Sequence, residues 1–140
     1  MSNRRRPRPT DAVRSLDWNE PIFVSGAVSL RNVASTLDRC HVGAVVLSRR
    51  EGDAAIVSER DIVAAVADGA ALDRRHAADA ATRDLISADP GDRIIDVAQR
   101  LIDEGVRHVA LVDRDEVVGV LSIRDLFGVL VAELRDNPAM

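Results

Sequence analysis

Apolar and polar positions along this chain follow two periods, and the order in which the periods alternate predicts its elements. Leu30, Val33, Ala34 and Leu37 fall at i, i+3, i+4 and i+7, with Arg31, Asn32, Asp38 and Arg39 between them. That is a helix with one apolar stripe and one wet side. Strands are expected next at Ala44–Leu47 and Ala54–Val57, joined by Ser48–Asp53 with Gly52 suited to a tight turn. Ser58 stops the second strand and starts a helix, Ile62 to about Ala67, which Asp68-Gly69 can close with a left-handed cap. Upstream, Thr10 is placed to cap a short helix through Leu16, and Pro21 leads into an extended Ile22–Val24.

The same order then recurs. From Thr82 the chain reads as an extended Leu85–Ala88, a Pro90-Gly91 turn and a helical stripe of Ile94, Val97, Ala98 and Leu101 closed by Gly105. Strands Val109–Val112 and Val117–Leu121 flank the turn Asp113–Glu116, and Leu126, Val129 and Leu130 carry a last helix. Sliding residues 22–66 by 64 pairs identical residues at Ile22, Val33, Ala34, Leu37, Val42, Val45, Leu47, Arg50, Ser58, Arg60 and Asp61 without a gap. Such in-register identity indicates duplication. The organisation expected is an Arg-rich arm (1–9), a first repeat (10–69), an Ala-rich connector (70–81), a second repeat (82–134) and a tail (135–140).

One β-α-β-β-α unit of about 60 residues cannot bury both faces of a three-stranded sheet. The fold expected is therefore α/β (α+β), with two repeats packed sheet to sheet about a pseudo-twofold axis. That symmetry makes two related clefts at the strand-to-helix corners, where Ser58 precedes Asp61 and Ser122 precedes Asp125. Each Ser/Asp pair approximates a helix capping box by itself.

Composition narrows the chemistry. With 46% apolar residues but two Phe, one Trp and no Tyr, the core must come from Val, Ala, Leu and Ile. The net charge of −4 includes four arginines in the first nine residues, which leaves −4 − 4 = −8 for residues 10–140. The arm should be disordered or extended in isolation and able to meet an anionic partner. The single cysteine, Cys40, excludes an intramolecular disulfide, and no His/Cys cluster has zinc spacing, so no metal is expected. No run of about 18 apolar residues occurs, so no membrane span and a reducing, cytoplasmic setting are expected. Cys40 and His41 point apart as sequence neighbours, and neither a phosphate-gripping GxxxxGK[ST] nor a nucleophile elbow is present. No catalytic residue is assigned, and no enzyme is expected.

The paired ends GVLSIRD and AAIVSERD, with the strands GVRHVALVD and HVGAVVLS before them, resemble the tandem cystathionine-β-synthase-type (CBS) domain pair, or Bateman module, over about residues 10–132. The connector is similar to that of small stand-alone bacterial pairs. Departures are Ala55 in place of a glycine before the first Ser-x-x-Asp, and Val46 and Ala110 where a proline is common. The resemblance implies a regulatory module that binds adenosine nucleotides (AMP, ADP, ATP or S-adenosylmethionine) between the repeats, needs no cofactor, forms a homodimer and acts on an unknown downstream protein. It implies that the aspartate holds the ribose hydroxyls, and that basic residues of one repeat hold the phosphate of a nucleotide whose ribose the other repeat binds. The preferred cleft is then Ile56, Ser58, Arg60, Asp61, Thr82, Ser87, Arg107 and His108. The second is Trp18, Phe23, Val42, Gly43, Ala44, Val120, Ser122, Arg124 and Asp125, with Trp18 either filling it or leaving room for an adenosyl group with less phosphate. The competing reading is a ligand-free scaffold that presents surfaces, its arm touching nucleic acid or an acidic partner; nucleic acid is the less expected of these partners, since the arm has no aromatic for base stacking.

Overall fold

The computed structural model of the chain describes residues 5–18 and 20–137. The first apolar stripe forms helix α1, Leu30–Cys40, whose N-terminus is capped by Ser29 Oγ accepting from Asn32 N at 3.1 Å. It ends where His41 takes a left-handed φ of 53°, a conformation histidine adopts more readily than bulkier residues. Strands β1 (Ala44–Val46) and β2 (Ile56–Ser58) pair antiparallel with Ala44 opposite Ser58, and helix α2 (Glu59–Ala67) follows directly. After α3 (Ala77–Ala80), the second repeat supplies β3 (Ser87–Ala88), α4 (Ile94–Glu104), β4 (His108–Asp113), β5 (Glu116–Ser122) and α5 (Ile123–Asp136). Here β3 runs parallel to β4, and β4 pairs antiparallel with β5 so that His108 faces Ser122. In the first repeat the strand matching β3 is reduced to a parallel bridge, Phe23 to Val46.

Alternation along the strands sorts the core into three clusters. Val45 and Val57 turn toward α1 and α2, where they meet Leu30, Val33 and Leu37. Val109, Leu111 and Leu121 turn toward α4 and α5, meeting Ile94, Leu101 and Leu126. The residues between point the other way: Val46, Ile56, Ala110 and Val117 pack the two sheets against each other. Helices therefore cover the outer face of each sheet and the sheets close on one another. The mixed α+β fold expected from the duplication is the one observed.

The short helix expected from Thr10 to Leu16 does not form. Only a 3-10 turn, Val13–Ser15, is present, and no side chain caps it. The backbone of this stretch is committed elsewhere: Val13 N donates to Asp92 O (2.8 Å), Arg14 N to Pro90 O (2.9 Å), and Asp11 O and Pro9 O accept from Ile94 N and Ile95 N at the uncapped start of α4. The connector repeats this arrangement on the other repeat. Ala77 N donates to Val28 O, Ala78 N to Gly26 O, and Arg75 O and Leu72 O accept from Leu30 N and Arg31 N of α1. Val13 and Ala77, 64 residues apart, are each fully buried, one against α4 and the other against α1. Each repeat is thus led by a segment that packs on its partner repeat.

The Arg-rich arm, where described, is also engaged. Arg8 meets Glu133 at 3.0 Å, Arg6 meets Asp136 at 3.4 Å and Arg5 meets Asp11 at 2.9 Å, so from residue 5 onward the arm, without regular secondary structure up to Arg8, lies beside acidic groups of the chain; residues 1–4 lie outside the described ones. These are surface pairs of small individual worth. Gly52 is not required by its turn either, because Glu51–Asp53 form a single 3-10 turn and glycine takes positive φ only at Gly69 and Gly105 among the described residues. The crossing can be tested at Val13. Val13→Ala removes a fully buried side chain and should cost about 2 kcal/mol. Hydrogen exchange should rise in the first turn of α4, which lies in the other repeat, more than in α1.

Candidate functional site

The two strand-to-helix corners are built alike. Ser58 Oγ accepts from Asp61 N (3.3 Å), while Asp61 Oδ2 accepts from Ser58 N (2.8 Å) and Ser58 Oγ (3.0 Å). Ser122 and Asp125 repeat this at 3.4, 2.9 and 3.1 Å. Both pairs are complete capping boxes with aspartate as the acid. One Oδ2 in each case serves the cap, which leaves Oδ1 turned to the surroundings. Asp61 Oδ1 accepts from Thr82 Oγ1 at 3.2 Å, whereas among the described residues Asp125 Oδ1 has no hydrogen bond. Asp61 is half-buried and Asp125 exposed.

Because the sheets pack face to face, these corners open into a crevice of about 1020 Å³ that both share. Its lining includes Ile56, Ser58, Arg60, Asp61, Thr82, Arg107 and His108 of the preferred set, and Trp18, Val42, Gly43, Ala44, Val120, Ser122, Arg124 and Asp125 of the other. Phe23 and Ser87, equivalent under the 64-residue shift, do not line it. Phe23 joins the sheet-to-sheet core under the Arg49 guanidinium, 4.1 Å from its ring centre, and the neighbouring Ile22 and Ile86 meet the crevice instead. Sequence reasoning missed Glu59, Asp17, Glu20, Asp84 and His41, which also line it. Glu59 could have been found from its place at the first turn of α2; the other four carry no sequence signal.

Charge in the crevice is uneven. Six carboxylates (Asp17, Glu20, Glu59, Asp61, Asp84, Asp125) line it against three arginines (Arg60, Arg107, Arg124), and among the described residues those arginines form no ion pair. His108 stands between the repeats. Its Nε2 lies 3.3 Å from where a side chain on Gly43 would begin, so glycine there leaves room for the ring. Burial holds the imidazole below its ordinary pKa, opposed by Asp125, then Glu59 and Asp61, and reinforced by Arg107. The Ala44 position, its counterpart, carries no such group.

Trp18 and Thr82 occupy equivalent places and explain one departure from the repeat pattern. Trp18 Nε1 donates to Val118 O at 3.1 Å, and a side chain on Gly119 would begin 2.7 Å from that nitrogen. Glycine at 119 is therefore required by the indole. In the first repeat the smaller Thr82 bridges Ile56, the residue after the buried Ala55. Trp18 thus packs on the second repeat's core and borders the crevice at the same time, and does not close it.

The comparisons with known proteins agree on one family. The CBS domain family model matches residues 77–132. The CBS domain protein PAE2072 from Pyrobaculum aerophilum, complexed with AMP, shares 34% identity over 86% of this chain and 96% of its own, with a TM-score of 0.75. This chain belongs to the CBS domain family. The CBS-domain-containing protein ATU1752 from Agrobacterium tumefaciens is similar at 26% identity, 86% and 94% coverage and a TM-score of 0.75. The CBS domain pair of MJ0100, in complex with 5-methylthioadenosine and S-adenosyl-L-methionine, shares the fold at 20% identity, 89% and 99% coverage and a TM-score of 0.78. The uncharacterized protein MJ1225 of Methanocaldococcus jannaschii is 30% identical over 96 residues, which are 68% of this chain and 34% of MJ1225, so this CBS chain spans about a third of that relative's length. Among the described residues no helix is long and apolar enough to cross a membrane, and no group of three His, Cys, Asp or Glu is placed to hold a metal.

The environment of His108 sets a sign for stability against pH. Its folded pKa is lowered, so the unfolded chain binds the proton more readily, and stability must fall as pH drops below about 6.5. Thermal melts from pH 7.5 to 5 should show a loss that is smaller in His108→Gln; equal losses in both proteins would place the titrating group elsewhere.

Proposed function

We propose that this CBS pair is a regulatory module that binds adenosine nucleotides in the crevice between its repeats. The observation that carries the reading is the convergence of two capped helix N-termini, each with an aspartate oxygen not used by its cap, on one crevice that also holds three arginines without ion pairs among the described residues. Helix N-termini favour anions, carboxylate oxygens suit a vicinal diol, and guanidinium forks suit phosphate. The AMP complex of the relative at 34% identity supports the same ligand class.

In this reading the ribose lies on Asp61, beside Ser58 and Thr82, and the phosphate meets Arg107 and His108 from the other repeat. The more enclosed Asp61 is the better place for the diol, and its Oδ1 keeps a lone pair beyond the bond from Thr82. The half near Asp125 and Trp18 takes an adenosyl group with less phosphate. Binding would draw the repeats together and alter what the module presents to a downstream protein.

Two copies would pair through the helices. Val63 and Val66 of α2, with Phe127, Val131 and Leu134 of α5, are all exposed by 46–66%, and exposed apolar side chains of this kind suit a contact site. Sedimentation of the purified protein should give twice the chain mass, and Phe127→Glu with Val63→Glu should give monomer; a monomeric wild type would contradict the pairing.

For the ligand, titration calorimetry with AMP, ATP and S-adenosylmethionine is the test. Asp61→Ala and Arg107→Ala should each weaken AMP at least tenfold, about 1.4 kcal/mol, with melting points lowered by no more than the loss of a cap, about 1 kcal/mol. Trp18, the sole tryptophan, borders the crevice and should report binding by fluorescence. If Asp125→Ala removes the AMP site and Asp61→Ala does not, the assignment of the two halves is reversed.

A further inference from the structure

We propose that His108 is a charge-selecting residue shared by both halves of the crevice: when protonated it favours a phosphorylated adenosine ligand, and when neutral it admits an uncharged or cationic one. The inference rests on the adenosine reading of the crevice and names what decides between ligands of different charge there.

The geometry comes from strand register. His108 opens β4 opposite Ser122, so its side chain rises on the same side as the corner that Ser122 and Asp125 form. It shares its face of β4 with Ala110, whose side chain belongs to the sheet-to-sheet core, so the ring is directed across the axis to the first repeat. There Gly43 makes room for it. Facing the imidazole are Asp125 on α5, Glu59 and Asp61 on α2, and Arg107 beside it on the chain. Beside these four facing groups, whose charges are fixed over the range, the imidazole changes charge between pH 5 and 8 by its ordinary chemistry.

The crevice without ligand holds more carboxylates than arginines, which disfavours a dianionic phosphate and favours a cation such as a sulfonium. One added positive charge at the centre shifts that balance by the smallest change available to the site. A bound phosphate, in turn, adds two negative charges and three acceptors beside the ring and draws the proton on. Burial keeps the imidazole neutral near neutral pH in the free protein, so the proton must arrive with the phosphate. Binding of AMP is then linked to proton uptake, and its affinity rises as pH falls, by at most about tenfold per pH unit for one linked proton. Adenosine binds without uptake, and S-adenosylmethionine, carrying its own positive charge, is weakened as pH falls.

Calorimetry at pH 7.5 in two buffers of different ionisation enthalpy measures the protons exchanged. With wild-type protein, AMP should take up a substantial fraction of one proton and adenosine none; with His108→Gln, AMP should take up none. AMP bound with no uptake, or with the same uptake in His108→Gln, overturns the role of His108 and leaves the adenosine site standing. Failure of AMP, adenosine and S-adenosylmethionine all to bind overturns both. Because His108→Gln also alters a half-buried position, proton NMR of the wild-type ring gives a second reading: its titration midpoint should move up when AMP is added, and an unmoved midpoint with AMP bound overturns the proposal.

Discussion

The constraint behind this architecture is that each repeat owns a sheet of two or three short strands with two apolar faces, and its own helices cover only one of them. The second face can be hidden only against the other repeat. Val46, Ile56, Ala110 and Val117 do this, and the fit is kept by the crossed lead segments. Those segments satisfy the first donors of α1 and α4, helices that would otherwise begin with unpaired N–H groups: Ser29 caps only Asn32 of α1, and no side chain caps α4. Neither repeat can separate without exposing a sheet face and stripping a helix end.

The crevice follows from that closure. Sheets joined face to face bring their strand-to-helix corners to the same edge, so the N-termini of α2 and α5 converge with their aspartates. At the opposite end of the strands the repeats are joined by backbone bonds, Val117 N to Arg49 O at 2.8 Å and Glu51 N to Asp115 O at 2.9 Å. One end is fastened and the other open. The duplication supplies the symmetry, and substitutions at equivalent places remove it: Trp18 against Thr82, Gly119 against Ala55, His108 against Ala44. The repeats share a frame and differ in what they offer a ligand.

Much of this was legible in the sequence. The helical stripes of α1 and α4, the strand pairs and both Ser-x-Arg-Asp corners follow from local periodicity and capping chemistry, and the 64-residue shift gave the pairing of the halves. What the sequence concealed are relations that leave no side-chain mark. Residues 8–18 and 72–82 occupy equivalent places yet share no identical residue, because what recurs there is backbone donors and acceptors, which any residue supplies. For the same reason a capped helix at Thr10 was the natural expectation, although the chain uses that stretch to serve α4. Phe23 and Ser87 were assigned to the clefts by the repeat alone, and their neighbours Ile22 and Ile86 line the crevice instead. The acidic residues Asp17, Glu20 and Asp84 reach the crevice from loops whose path no local pattern foretells.

The account stands or falls on what occupies the crevice and in which direction it lies. A crystal structure of the protein grown with AMP tests this most directly. The account predicts the ribose diol on Asp61 and the phosphate between Arg107 and His108, with Trp18 still hydrogen-bonded to Val118. A ribose seated on Asp125 with its phosphate toward Arg60, or a crevice left empty at saturating AMP, would contradict it.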